Sequence, residues 1–279
     1  MQLAQKIVEL EQALAIADTD GKRVGFIPTM GALHKGHLSL VKKAQDQGLF
    51  IVVSVFVNPR QFGEGDDLEN YPRTLGVDAR VLSDAGVDVL FAPSSNEVYP
   101  ASGVKEISAG ELGALFEGTV RPGHFDGMLT VVNRLFNLVQ PDVVFFGSKD
   151  AQQLMLVTQM VRQQVANGDR EPIKVVACET VRDEEGLALS SRNQRIPKEL
   201  IPAARTLHKA LIAGSKKKTK TDCIEAAMAQ LDPIIRLDYL ELVDPETFAV
   251  TEGVAGARMV IAGWVGEVRL IDNLLVGGV

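Results

Sequence analysis

Short apolar runs alternate with amphipathic segments through the first two-thirds of the chain. The runs predict strands at residues 24–27, 50–56, 89–91, 143–146 and 173–177. The amphipathic segments predict helices at residues 38–47, 74–85, 126–139 and 151–166. Because the second and fourth runs are almost entirely apolar, they are typical of strands buried on both faces of a parallel sheet. This alternation predicts an α/β fold with a Rossmann-like, doubly wound parallel sheet.

Three of these segments have a clear apolar face. In the helix at 126–139 the inward positions are Met128, Val131, Val132, Leu135, Phe136 and Val139. In the helix at 38–47 they are Leu38, Val41 and Ala44. The first residues of the chain place Leu3, Ile7, Leu10 and Leu14 on one face. That spacing predicts an amphipathic helix at the start of the chain.

The pattern changes after about residue 180, where a polar and charged stretch has no period. Beyond it the sequence predicts helices at 202–213 and 222–231. It also predicts strands at 239–243, 258–262 and 268–271. We therefore predict two domains, a Rossmann-like domain at residues 1–182 and a small α+β domain at residues 183–279.

Composition and charge narrow the class of protein. The chain has 279 residues, 46% of them hydrophobic, and a net charge of −7, which does not favour broad nucleic-acid binding. We interpret the basic run at 216–220 as a solvated loop between helices, the alternative being a local nucleic-acid patch. No apolar run reaches the ~20 residues of a membrane span. The first residues also lack the pattern of a secretion signal.

The two cysteines, Cys178 and Cys223, do not have the spacing of metal ligands. We interpret both as reduced thiols, which are typical of a cytoplasmic protein.

The most informative motif is His34-Lys35-Gly36-His37, which lies where the first long strand leads into a helix. A helix N-terminus carries partial positive charge and unpaired N–H groups, and therefore suits phosphate. Gly36 permits close approach of the backbone. Two imidazoles three residues apart can both donate to phosphate oxygens. We interpret the motif as a phosphate site, the alternative being ordinary polar residues at a helix cap.

Neutral amides follow the second strand. Asn58 and Gln61 can bind a hydroxyl or a carboxylate through hydrogen bonds without adding charge. Alternatively, Asn58 followed by proline merely begins a turn.

A lysine follows the fourth strand, in the sequence Gly147-Ser148-Lys149-Asp150. Lys149 can meet a phosphate as a point charge, and Asp150 is a candidate N-cap for the next helix. Gln153 lies three residues after Asp150, on the same face. A solvent-exposed Lys-Asp pair is the alternative.

A third polar segment is the triplet Ser190-Ser191-Arg192. Its hydroxyls and guanidinium can bind phosphate oxygens if the loop closes over a ligand, although such triplets are common in loops. Arg121 and His124 precede the helix at 126–139, and spacing alone does not decide whether they reach a site or only lead into that helix.

These residues favour nucleotide chemistry over other reactions. The sequence contains no HExxH metal motif, no P-loop and no GxSxG nucleophile elbow. Two histidines, a lysine and an arginine suit charge that develops on the phosphates while pyrophosphate leaves. The simplest reaction is attack of a bound acceptor on the α-phosphorus of a nucleoside triphosphate. Spacing does not identify the acceptor.

Longer strings identify a family resemblance. His34–His37 resembles the HxGH signature of the nucleotidyltransferase superfamily, which includes class I aminoacyl-tRNA synthetases. The chain resembles the pantothenate synthetase family, the pantoate–β-alanine ligases, in six strings in the family's order. These strings are PTMGALHKGH from residue 28, FVNPRQF from 56, YPRT from 71, RPGHF from 121, FGSKDAQQL from 146 and GLALSSRN from 186. DYLELVD from residue 238 extends the match into the second predicted domain.

The resemblance implies a reaction in two steps. Pantoate attacks ATP to give pantoyl adenylate and pyrophosphate, and β-alanine then attacks the adenylate to give pantothenate and AMP. Magnesium ion (Mg²⁺) is implied as a partner of ATP, and a homodimer is implied through the first domain. The second domain is implied to act as a lid. No nucleic-acid or membrane partner is implied.

The resemblance also implies roles for particular residues. ATP would contact Met30, Gly31, Ala32, Leu33, His34, Lys35, Gly36, His37, Gly147, Ser148, Lys149, Asp150, Val181, Leu189, Ser190, Ser191 and Arg192. The catalytic group would comprise His37 as proton donor to the phosphates, with His34, Lys149, Ser190, Ser191 and Arg192. Pantoate would contact Gln61 and Gln153, with Asn58 supporting that pocket and Gln61 also bordering the β-alanine site.

Three positions depart from the family's pattern. Val77 and Asp78 stand where some members have an acidic pair that helps to hold Mg²⁺. Ser148 replaces a common glutamate, and Ala151 a larger residue.

There are two rival hypotheses. One is another adenylyl- or cytidylyltransferase of the superfamily, which would not require Asn58, Gln61 and Gln153 together. The other is a non-catalytic ATP sensor, which would tolerate loss of His37 or Lys149.

Overall fold

The computed structural model describes residues 1–63, 68–69 and 71–277. The strands are β1 Gln2–Ala4, β2 Val24–Thr29, β3 Phe50–Val55, β4 Val89–Phe91, β5 Val143–Gly147, β6 Lys174–Cys178, β7 Arg236–Val243, β8 Arg258–Val265 and β9 Val268–Leu275. The helices are α1 Ile7–Thr19, α2 Lys35–Gln45, α3 Leu75–Asp84, α4 Ser95–Val98, α5 Glu117–Val120, α6 His124–Val139, α7 Ala151–Ala166, α8 Ile201–Ser215 and α9 Lys220–Met228. Short 3₁₀ turns occur at Pro59–Gln61, Glu111–Ala114, Ser191–Arg195 and Lys198–Leu200.

The predicted α/β class is confirmed. In the described part of the chain, six parallel strands form one sheet in the order β1-β4-β3-β2-β5-β6. The chain adds β3 and β4 on one side of β2, and β5 and β6 on the other. The switch point therefore lies between β2 and β5, and open α/β sheets bind ligands beyond the carboxyl ends of strands at such a point. His34–His37 directly follow β2.

The predicted helix at the start of the chain is wrong for its first residues. Residues 2–4 form β1, an edge strand that pairs with β4 through hydrogen bonds such as Gln2 N to Asp88 O at 2.8 Å. Leu3 is 47% exposed because it does not belong to the helix face. Helix α1 begins only at Ile7, and its buried residues are Leu10, Ala13 and Ala17. Main-chain pairing with a strand so distant along the chain is invisible to local periodicity.

The other predicted elements are present, with ends that differ by a few residues. All six inward positions predicted for α6 are buried. In α2 the buried residues are Leu40, Val41 and Ala44, and Leu38 is half-buried. Helix α2 also begins at Lys35 rather than at Leu38, which puts the histidine motif within its first turn.

Contacts divide the chain into two compact units. The first unit comprises residues 1–147 and 156–178, and the second comprises residues 148–155 and the described residues from 179 onward. The predicted division at residue 182 stays a prediction. In the first unit, one face of the sheet packs on α2 and α3 through a buried cluster that includes Ile27, Val41, Ile51, Leu82 and Phe145.

The second unit has its own core. Strands β7, β8 and β9 form an antiparallel sheet, and α8 and α9 pack against it. Leu207, Leu211, Leu242, Met259 and Ile261 lie in the buried cluster between these layers. Burial of such side chains typically contributes about 1.5–3 kcal/mol each, so this sheet is a stable support for the polar residues of β9.

Among the described residues, no helix combines the length and apolarity needed for a membrane crossing. Cys178 and Cys223 are buried free thiols.

Candidate active site

The side chains of the two motif histidines cap backbone N–H groups at the N-terminus of α2. His34 is the N-cap, and its Nδ1 accepts the Gly36 N–H at 3.1 Å. The Nδ1 of His37 accepts the His34 N–H at 3.3 Å, and the ring centroids lie 4.1 Å apart. Since both Nδ1 atoms accept, each neutral ring carries its hydrogen on Nε2. The motif therefore presents two imidazole Nε2–H donors beside a helix N-terminus.

Gly36 is required by this arrangement. A Cβ atom at position 36 would lie 2.8 Å from Cε1 and 2.9 Å from Nδ1 of His34. Any larger residue would push the imidazole out of its capping position. The absence of a side chain at Gly36 therefore allows the His34 ring to cap the helix.

Asp78 on α3 holds the loop that precedes the motif. It is 2% exposed, and its Oδ2 and Oδ1 accept the N–H groups of Ala32 at 3.1 Å and Leu33 at 2.9 Å. Thr74 Oγ1 also donates to Oδ2 at 3.0 Å. Ala32 has a φ of +51°, a left-handed conformation that is unfavourable for alanine and needs such support. Asp78 thereby fixes the approach of the loop to His34.

The amides Asn58 and Gln61 form one buried network after β3. Asn58 is 1% exposed, and its Nδ2 donates to Gln61 Oε1 at 3.2 Å and to Gly127 O at 3.0 Å. Tyr99 donates its hydroxyl to Asn58 Oδ1 at 2.6 Å. Burial raises the pKa of Tyr99 to about 12 despite the nearby Arg60 guanidinium, so this hydroxyl stays a donor at neutral pH. Asn58 is thus a support for Gln61.

Gln61 lies next to the loop before the motif. It is 7% exposed, and its Nε2 is 2.8 Å from Met30 Sδ. This contact joins two segments that the sequence placed in different parts of the site, the amide loop and the loop leading into His34.

Arg121 and His124, whose role spacing did not decide, both contact the backbone of Gln61. His124 Nδ1 lies 2.8 Å from Gln61 O, and Arg121 Nη2 donates to the same oxygen at 3.3 Å. A second guanidinium nitrogen, Arg121 Nη1, is 3.3 Å from His124 Nε2. A neutral His124 with its hydrogen on Nδ1 satisfies both contacts. These side chains therefore position Gln61.

Gly127 allows the amide loop to approach α6. A Cβ atom at this position would lie 2.0 Å from Arg60 O and 2.9 Å from Gln61 N. We expect Gly127→Ala to lower the free energy of unfolding by roughly 1–3 kcal/mol or more, because backbone atoms must move. It should also raise the KM for the acid that the family resemblance assigns to Gln61 by at least about tenfold, through displacement of Gln61.

The matched control is Gly76→Ala, since a Cβ at residue 76 in α3 meets open space. Thermal unfolding and steady-state kinetics measure both effects. A Gly127→Ala protein with the stability and KM of the unmodified chain would show that the close approach is unimportant.

In the second unit, the turn after β5 carries Ser148, Lys149 and Asp150 into α7. Lys149 and Gln153 are half-buried and Asp150 is exposed. Neither Lys149 nor Arg192 forms an ion pair within the described ranges. Neither side chain is therefore paired with a carboxylate of these ranges.

The aperiodic stretch after residue 180 folds back on itself. Arg182 and Ala188 form an antiparallel bridge, and Leu189 N donates to Val181 O at 2.9 Å. Ser190 caps the following 3₁₀ turn, since its Oγ accepts the Arg192 N–H at 3.2 Å. Val181 and Leu189 are therefore adjacent. The family resemblance assigned Val181 and residues 189–192 to ATP.

A buried ionic group supports this segment. Arg182 donates from Nη1 and Nη2 to the two oxygens of Asp272, at 2.5 and 2.9 Å. The Nδ1 of His208 lies 3.8 Å from Asp272 and has no hydrogen-bond partner among the described residues. Burial, helped by the charge of Arg182, lowers the pKa of His208 although Asp272 opposes the shift.

This shift predicts a loss of stability in mild acid. The unfolded chain gains a proton at His208 near the ordinary pKa of 6.5, whereas the folded ring resists it, so stability falls as pH drops below that value. The groups that face His208 are Asp272, Arg182 and, across a small cavity, Lys149. We expect His208→Gln to show a smaller fall in melting temperature between about pH 7.5 and 5.5. Equal falls in both proteins would remove His208 from the acid response.

The predicted site residues therefore form two sets. Met30, Gly31, Ala32, Leu33, His34, Lys35, Gly36, His37, Asn58, Gln61 and Gly147 belong to the first unit, and Ser148, Lys149, Asp150, Gln153, Val181, Leu189, Ser190, Ser191 and Arg192 to the second. Sequence reasoning missed Tyr99, Gly127, Asp272 and Asn273. Consecutive polar residues inside the apolar run of β9 were the one available signal for the last two.

Comparisons with known proteins identify the family of the chain. The sequence profile of the pantoate-beta-alanine ligase family matches residues 2–275. Pantothenate synthetase of Thermus thermophilus is 46% identical, and the match covers 99% of both chains. That of Aquifex aeolicus is 40% identical over 97% of both.

Solved structures agree as well. The crystal structure of the Thermus thermophilus enzyme matches with a TM-score of 0.91 at 46% identity, over 99% of both chains. The Francisella tularensis pantoate-beta-alanine ligase, solved in complex with beta-gamma ATP and β-alanine, matches with a TM-score of 0.79 at 35% identity, over 99% of this chain and 97% of that one. This chain therefore belongs to the pantoate–β-alanine ligase family, the pantothenate synthetases.

Proposed function

We propose that the chain condenses pantoate with β-alanine to give pantothenate, in two steps that consume ATP and release pyrophosphate and AMP. The observation that carries the proposal is the contact between Gln61 and Met30. It sets the buried amides of Asn58 and Gln61 against the loop leading to the two imidazole donors of His34 and His37. An uncharged pocket for a hydroxy acid beside a phosphate site is what adenylation of that acid requires. The Francisella relative, solved with both a form of ATP and β-alanine, supports the same substrates.

In the first step, a pantoate carboxylate oxygen forms a bond to the α-phosphorus while the bond to the pyrophosphate oxygen breaks. Negative charge then grows on the phosphate oxygens. The Nε2–H groups of His34 and His37 donate to these oxygens without needing to be protonated, because Nδ1 of each ring accepts a backbone N–H. Donors already held in place cost little reorganisation in the transition state.

We propose that charged and hydroxyl groups among residues 149–192 act in the same step. Lys149 and Arg192 carry the positive charges, and the hydroxyls of Ser190 and Ser191 add donors. Ser190 is already oriented by its hydrogen bond to the Arg192 N–H. We propose that these groups and the segments at 147–150, Val181 and Leu189 bind ATP.

In the second step, the β-alanine nitrogen attacks the acyl carbon, the bond to the AMP oxygen breaks, and the nitrogen loses a proton to solvent. The mixed anhydride is already activated, so a neutral amine needs no general base on the protein. Gln61 and Gln153 bind pantoate through their amides, and Gln61 also borders the amine site. Asn58, Arg121 and His124 keep Gln61 in position.

Mg²⁺ accompanies ATP in this proposal, and the described residues do not form a carboxylate cage for it. Both Asp78 oxygens accept hydrogen bonds from the 32–33 loop, and Val77 has no ligand atom. Among the described residues, no cluster of three or more His, Cys, Asp or Glu side chains suits a metal ion. Phosphate oxygens and water are the ordinary ligands of Mg²⁺ bound with a nucleotide.

We also propose a cytoplasmic homodimer. The two buried free thiols support a reducing compartment. Membership of the family supports dimerisation through the first unit, which sedimentation of the purified protein would test.

Product analysis tests the proposed function. Purified protein incubated with ATP, Mg²⁺, pantoate and β-alanine should form pantothenate, AMP and pyrophosphate in equal amounts. Formation of ADP and phosphate, or no amide product, would contradict the two-step route.

A further inference from the structure

A buried amide of the second unit contacts the turn that carries Lys149. Asn273 lies in β9 and is 6% exposed. Its Nδ2 donates to Ser148 O at 2.9 Å and to Lys149 O at 2.8 Å. Both hydrogens of the amide are thus donated to two consecutive carbonyl groups. The single side chain of Asn273 therefore holds the peptide groups before and after the Cα atom of Lys149.

The amide of Asn273 is itself fixed. Its Oδ1 accepts from Arg258 Nη1, and its backbone N–H donates to Asp272 Oδ1 at 2.8 Å. A reversed amide would face Nδ2 toward the Arg258 guanidinium and Oδ1 toward two carbonyls, which cannot donate. Only one orientation of the side chain therefore satisfies all its neighbours.

The preceding residue, Asp272, connects β9 to the 181–192 segment, the other part of this unit that we assign to ATP. Asp272 binds Arg182 through two hydrogen bonds, and Arg182 adjoins Val181 and bridges to Ala188. Asp272 and Asn273 thereby connect β9 to both the 147–150 turn and the 181–192 segment.

We propose that Asn273 is a positioning residue for Lys149. This inference rests on the proposed role of Lys149 in adenylation. Lys149 has no ion pair in the described part of the chain that would hold its ammonium, so the position of that group depends on its backbone. Misplacement of a catalytic charge by about 1 Å can cost up to a hundredfold in rate. Loss of the two hydrogen bonds should therefore lower the rate of adenylation by roughly tenfold.

Amide hydrogen exchange tests the contact without reference to activity. In Asn273→Ala, peptides spanning 147–155 should exchange faster, while peptides spanning 24–45 in the first unit should not change. Asn273→Asp should have the same or a larger effect, because it places a carboxylate against two carbonyls. Val265→Ala is the control for lost packing, since Val265 is fully buried in the same sheet. Unchanged exchange at 147–155 in both Asn273 variants would overturn the proposal.

A double-mutant cycle tests the consequence. Asn273→Ala should slow pantoate-dependent pyrophosphate release about tenfold in the otherwise unmodified protein and hardly at all in Lys149→Met. A structural defect would slow both backgrounds by the same factor, and that result would overturn the positioning role. An unmodified protein with no pantoate-dependent pyrophosphate release would instead overturn the proposed function, and this role with it.

Discussion

Replacing His37 by asparagine should slow pantoate-dependent pyrophosphate release at least about 100-fold while the melting temperature stays close to that of the unmodified protein. Asparagine can keep an acceptor for the His34 N–H near the place of Nδ1, but it has no group that reaches the place of Nε2. The substitution thus separates capping from phosphate binding. Loss of one preorganised donor typically costs about 10²–10³ in rate. Rapid-quench measurement of pyrophosphate and a thermal melt provide both readouts.

His37→Ala serves as the comparison, because it removes the cap and the donor together. It should be as slow as His37→Asn and less stable by roughly 0.5–2 kcal/mol. A His37→Asn protein that retains most of its rate would show that Nε2–H does not act on the phosphates.

Replacing Lys149 by methionine should slow the same step by about 10²–10³, with little change in stability. Methionine is apolar and of similar length, so the change removes mainly the positive charge. Lys149 is half-buried. A charge that is partly shielded from bulk water attracts a developing anion more strongly than a fully solvated one. Pyrophosphate release in a single turnover measures the effect.

Lys209→Met is the matched control, since Lys209 is an exposed lysine of α8 in the same unit. It makes the same change in net charge and should leave the rate unchanged. Equal rates for Lys149→Met and Lys209→Met would mean that only overall charge matters, and Lys149 would lose its assigned role.

The sequence predicted best those features that depend on local pattern. The six inward positions of α6 follow from helical spacing alone, and all are buried. Strand β1 could not be predicted in this way, because it is stabilised by main-chain pairing with β4. The start of α2 was missed for a related reason, since it is set by the His34 cap rather than by the apolar period.

The candidate site shows the same limit. The histidine motif was recognisable because a strand, a glycine and a helix occur consecutively around it. The supporting residues were not, because each acts across a long separation in sequence. Asp78 holds residues 32 and 33, and Asn273 holds residues 148 and 149. A sequence pattern shows which residue types are present, whereas these pairings exist only in the fold.

Isotope exchange tests the central claim, adenylation of pantoate, most directly. Purified protein is incubated with ATP, Mg²⁺, pantoate and labelled pyrophosphate, without β-alanine, and the label that enters ATP is measured. The account predicts exchange that requires pantoate and that is lost in His37→Asn. No exchange, or exchange of equal rate without pantoate, would contradict a pantoyl adenylate formed at this site.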